Sequence, residues 1–174
     1  VLPIRAWPDP VLSTPAKPIA IPRDVETLAR DMLETMYAAP GRGLAGPQVG
    51  AMLRIFVMDA GWKEDKSDPL VCINPMFQEI GEERVTNTEG CLSIPGISTD
   101  ISRPSQVQMV WTGLNGGRYV QSLEGAAALI AGVQGSGAAA LTLKVSPAGA
   151  DLQATLLGGS LLAEQTGEDA AASS

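Results

Sequence analysis

Cys91 stands inside Glu89-Gly90-Cys91-Leu92-Ser93-Ile94-Pro95-Gly96, where a thiolate can act as a nucleophile or as a soft metal ligand. Gly90 before it and Pro95-Gly96 after it give the backbone special constraints, and Glu89 sets a carboxyl alongside. Upstream, Gly41 to Gly50 reads GRGLAGPQVG, with four glycines and a proline around Gln48. Glycines let a ligand or a second backbone come close, and a fixed loop can present one amide side chain. An ordinary connection after a helix accounts for those glycines equally well. No Gly-Lys-Ser/Thr follows, so the loop is not a phosphate cradle. Cys72, in Leu70-Val71-Cys72-Ile73-Asn74-Pro75, reads as a small buried hydrophobe, the commoner fate of a free cysteine. The chain contains no histidine, so Cys91 lacks the base that a nucleophilic thiol usually keeps beside it.

The elements that must position these residues are legible mainly before residue 125. DVETLARDMLETMYAAPG places Val25, Leu28, Met32 and Met36 on one helical face, with Leu33 and Tyr37 beside it. Asp24 is expected to cap that helix and Pro40-Gly41 to stop it. LRIFVMDA and LVCINP predict short buried strands. VQMVWTGLNGGRYVQSLE predicts a hairpin around Asn115-Gly116, and GWKEDKSDP an exposed polar loop. The expected fold class is α+β, antiparallel strands packed around helices.

The 174 residues divide by composition. All seven aromatic residues lie at or before Tyr119, and of twelve Lys and Arg only Lys144 lies beyond Arg118. We therefore expect a core over 1–124 and an atypical Ala/Gly/Leu-rich segment of the same domain over 125–174, irregular and frayed at its end. Helix propensity between Glu124 and Ala131 is interrupted by Gly132, Gly135 and Gly137, each costing about 1 kcal/mol in a helix interior. The net charge of −7 argues against nucleic-acid or anionic-membrane partners. No window is long and apolar enough to span a bilayer, and the N-terminal residues lack a signal-peptide layout. A cytoplasmic setting is expected.

Together the two segments resemble the peptide deformylase family. Its first motif, Gly-(apolar)-Gly-Leu-Ala-x-x-Gln, is matched by Gly41 to Gln48 except at Arg42, and its second, Glu-Gly-Cys-Leu-Ser, by Glu89 to Ser93 without change. The resemblance covers roughly Leu2 to Gly125. It implies a metal-dependent hydrolase that removes the formyl group from the N-terminal methionine of nascent chains, with the ribosome a candidate further partner. It implies iron(II), or zinc or nickel in its place, held by Cys91 and two histidines of a third motif, His-Glu-x-x-His. It further implies that the Gln48 side chain and the Leu92 N–H stabilise the oxyanion. Gly43 would flank the substrate backbone, and Arg42, Asn87 and Leu129 would lie near the methionine pocket.

The third motif is missing. At the family's spacing it would fall on Val133-Gln134-Gly135-Ser136-Gly137, and no shift of register supplies a histidine. A catalytic metal site generally needs about three protein ligands. The expectation is a chain of deformylase descent without deformylase activity and without the metal. The loss coincides with the compositional break, which points first to a C-terminal segment altered relative to a working enzyme. An inactive paralogue that keeps the peptide-binding cleft ranks second, and metal-free thiol chemistry at Cys91 third.

Overall fold

The computed structural model describes residues 1–125, 140–145 and 152–157. One helix, α1 (Glu26–Ala38), and nine strands carry the regular structure of these residues. Five strands form the main sheet in the order β1 (Gly43–Ala45), β2 (Ile55–Met58), β3 (Leu70–Ile80), β6 (Gln106–Thr112) and β7 (Arg118–Glu124). Every neighbouring pair in it is antiparallel. Strands β4 (Arg84–Cys91) and β5 (Ile94–Pro104) pair as a separate hairpin, and β8 (Ala140–Val145) pairs with β9 (Leu152–Leu157). The expected α+β class is what the chain adopts.

Strand periodicity explains where the core sits. All four residues of β2 are buried, because successive side chains enter opposite faces and both faces are covered. Ile55 and Val57 join Leu44, Ile73 and the α1 residues Ala29, Met32 and Met36. Phe56 and Met58 join Ala45, Cys72, Phe77, Met109, Trp111 and Leu123 on the other side. Phe77 and Cys72 share a face although their positions differ by five, an odd number. The register shift between Ile73 and Met76 inverts the alternation along β3 and brings Phe77 back to that side.

Two local expectations need correction. Winding begins before α1, in a 3-10 turn over Pro22–Val25, so Asp24 lies inside that turn and Val25 occupies the cap position without a side-chain bond. Pro22, with its φ fixed at a helical value, explains the early start. The buried face of α1 centres on Ala29, Met32, Thr35 and Met36, while Leu28, Leu33 and Tyr37 flank it half-buried. The predicted strands and the β6–β7 hairpin are present, with Gly116 at φ 78° in its loop. The helix-forming stretch predicted after Glu124 lies almost wholly outside the described residues.

The backbone of the N-terminal segment is sewn to this frame by bonds to side chains and to a strand. Leu2 N–H donates to Thr35 Oγ1 at 2.7 Å, and Lys17 bridges Leu53. Asn74, at φ 49°, accepts from Ile19 N–H at 2.9 Å and donates to Ile19 C=O at 2.8 Å. Asparagine tolerates that left-handed conformation, and its amide here substitutes for a strand partner.

Candidate active-site cleft

Strand β1 is an edge of the main sheet, and it runs straight into a 3-10 turn, Gly46–Val49, that carries Gln48. The turn is tight because Gly46 has no side chain: a Cβ there would lie 2.7 Å from Leu53 O and 2.8 Å from Ala51 O. Gln48 is buried, at 3% exposure. Its Oε1 accepts from Ala45 N–H at 3.0 Å and its Nε2 donates to Ser93 Oγ at 3.2 Å. The two bonds fix which end of the amide is the donor end. That end points toward the second motif.

The second motif occupies the tip of the β4–β5 hairpin. Cys91 ends β4 and pairs across the turn with Ile94, so Leu92 and Ser93 form the two-residue connection. A register shift between Gly90 and Cys91 re-aims the strand just before the cysteine. Ser93 is buried and its carbonyl accepts from Trp7 N–H at 2.9 Å. Two residues earlier, Arg5 N–H donates to Gln48 O at 2.7 Å. The segment Arg5–Trp7 therefore braces both motifs. Leu92 packs so close to the first motif that a Cβ on Gly41 would meet its Cδ1 at 2.7 Å.

Gln48 and the Leu92–Ser93 turn after Cys91 are thus brought together against the two ends of the stretch from Gly41 to Ala45, which contains Gly43. Arg42 turns elsewhere: its guanidinium binds the Ala60 carbonyl and both carboxylate oxygens of Glu64, one at 2.9 Å. That hydrogen bonding raises the Arg42 pKa and lowers that of Glu64. Asn87 lies in β4 opposite Ile101, and Leu129 is outside the described residues. Cys72 is buried and free, and burial pushes its thiol pKa up, which leaves it inert at neutral pH.

The sequence reading missed several residues that hold the site. Ser93, within the second motif, receives and orients the Gln48 amide. Asp59, at 0% exposure, accepts from Tyr37 OH and Ser67 Oγ, each at 2.7 Å, and from Asp68 N–H at 3.1 Å. Burial raises the Asp59 pKa, but the bonds from Ser67, Tyr37, Asp68 and Gly61 outweigh it and hold the carboxyl below its usual value. A lone carboxylate ending an apolar strand was the available signal.

Sequence and fold comparisons point to one family. The polypeptide deformylase family profile matches residues 1–132. The chain belongs to the peptide deformylase family. The peptide deformylase of Pseudomonas aeruginosa is 44% identical over 126 residues, 72% of this chain and 74% of that protein. That of Saccharophagus degradans is 41% identical over the same length, 72% of each. The crystal structure of the Thermotoga maritima peptide deformylase superposes with a TM-score of 0.70 at 38% identity, covering 75% of this chain and 86% of that one. The profile match stops one residue before Val133, where the third motif should begin.

Deformylases are metal-dependent, so the donor set of this member decides whether it fits. Of the family's three protein ligands the sequence retains Cys91 alone, for want of any histidine. Among the described residues no three His, Cys, Asp or Glu side chains come together. One thiolate cannot supply the roughly three ligands that hold a hydrolytic cation. The residues present do not fit the family's metal.

Proposed function

We propose that this chain receives the methionine end of a formylated peptide in the deformylase cleft and does not hydrolyse it. The observation that carries this reading is the Gln48 amide, buried and oriented between the two motifs in a chain with no histidine. Strand β1, as a sheet edge, offers backbone groups to an extended peptide at Gly43, a mode in which main-chain hydrogen bonds supply affinity. Gln48 and the Leu92 N–H would hold the formyl oxygen. The activity is assigned as absent because two ligands and the proton-carrying glutamate are missing together.

Three measurements on the purified protein test this: metal content, turnover of a formyl-methionyl peptide, and calorimetric titration with the same peptide. The expected results are substoichiometric metal, no turnover and saturable binding. Stoichiometric transition metal with turnover overturns the assigned inactivity, and absence of binding overturns the cleft.

The segment from Gly125 onward we attribute to alteration relative to a working family member, because the compositional break, the end of the profile match and the lost motif nearly coincide. Replacing residues 125–174 with the corresponding segment of the Pseudomonas aeruginosa relative should restore one metal and turnover. A chimera that folds but stays metal-free would mean that the first 124 residues have also lost competence.

A further inference from the structure

The run Gly61–Pro69, which its polarity marks as a solvent loop, grips the first motif together with Asp59 just before it. Trp62 Nε1 donates to Gly41 O at 2.8 Å, Asp59 N–H donates to Arg42 O at 2.9 Å, and Glu64 binds the Arg42 guanidinium. The loop is itself fixed from behind. Tyr37 meets Trp62 edge to face with ring centroids 5.3 Å apart, and its hydroxyl is held by Asp59. Gly41 is where these restraints meet the second motif. Its N–H donates to Met36 O at 2.9 Å, its carbonyl takes the Trp62 indole, and its Cα face abuts Leu92. A shift of Gly41 therefore moves Gly43 along one path and Leu92 along another.

We propose that Trp62 and Glu64 are positioning residues for the peptide cleft, setting the edge strand β1 and the Leu92 turn in register with each other. The proposal rests on the peptide-binding reading of that cleft. Neither residue needs to touch the peptide. Trp62 acts through one hydrogen bond to backbone, whose loss is worth roughly a fivefold change in a coupled equilibrium. Glu64 acts through an exposed ion pair, which is weaker and sensitive to salt.

The test has two arms. In the first, a neutral peptide, formyl-Met-Ala-amide, is titrated into wild type and Glu64→Gln at low and at molar salt. Because the peptide carries no charge, a salt effect must arise within the protein. Wild-type affinity should fall about two- to fivefold at high salt while Glu64→Gln stays flat. Parallel salt profiles overturn the role of Glu64. In the second arm, amide hydrogen exchange is followed in peptide-free wild type and Trp62→Phe, with Met109 and Val110 of β6 as internal reference. Exchange at Ala45, whose N–H is held by Gln48 Oε1, and at Trp7, whose N–H is held by the Ser93 carbonyl, should accelerate about fivefold with the reference unchanged. A uniform change, or none, means that Trp62 is merely structural and overturns its role. Should wild type fail to bind the peptide, the cleft reading falls, and the exchange arm still decides the positioning role.

Discussion

The two sides of the cleft are built differently. The first motif grows out of a five-stranded sheet in which the neighbouring strand β2 is covered on both faces, and a helix, a buried carboxylate hub and a loop all restrain it. The second motif is carried on a two-stranded hairpin most of whose described side chains are exposed, Arg84, Val85, Thr86, Thr88, Asp100 and Ser102 among them, although Arg103 near the far end of β5 is buried. At its tip it is tied to the rest through Ser93, Leu92 and the brace from Trp7. One wall of the cleft draws its rigidity from a core and the other borrows it from a few contacts at the tip. A site assembled this way can lose precision at the hairpin long before it loses the fold.

Substitutions at the two walls should therefore differ in size and kind. Phe56→Ala, at the centre of the sheet, should lower unfolding free energy by about 3–5 kcal/mol, whereas Val85→Ala on the hairpin should stay within about 0.5 kcal/mol. Denaturant titration checks both, and equal costs would mean that the hairpin is as deeply integrated as the sheet.

The carboxylate hub sharpens the contrast through pH. The folded Asp59 pKa lies below its unfolded value, so its contribution is complete above the ordinary carboxylate pKa of about 3.9. It disappears as pH falls through the folded value. Asp59→Asn should be about 1–3 kcal/mol less stable than wild type at pH 7, with the gap closing below about pH 4. A gap that persists unchanged into acid would show that the charge of Asp59 is irrelevant.

A smaller loss than at Asp59 belongs to the seam between the walls. Ser93→Ala removes the hydroxyl that receives Gln48 and should cost about 1 kcal/mol of stability. Its larger signature should be a weakened formyl-peptide affinity in calorimetry, since the Gln48 amide loses its orientation. An unchanged affinity would remove Ser93 from the cleft's machinery.

What the sequence disclosed follows the same division. Helix α1, β2, β3 and the β6–β7 hairpin announce themselves because each buries a periodic apolar face, which period and turn chemistry make visible. The β4–β5 ladder does not, because RVTNTEGC and IPGISTDISRP show no sustained apolar alternation. Strand β1 is three residues long inside a glycine-rich run and has no pattern of its own. Gln48 and Cys91 stood out as chemistry in their own right. Asp59, Trp62 and Glu64 did not, since their roles exist only once a loop distant from Gly41 in sequence folds back onto it.

The brace made by Arg5 and Trp7 has a mechanical consequence. Tension applied to the amino-terminal end reaches both Gln48 and Ser93 through single hydrogen bonds, ahead of any ladder in the sheets. Pulled from that end, the molecule should release the Leu2–Thr35 bond and then part where the walls are joined, its strands still zipped. A bulky fusion that displaces the leading residues would do the same damage quietly, leaving a well-folded protein with a misaligned groove.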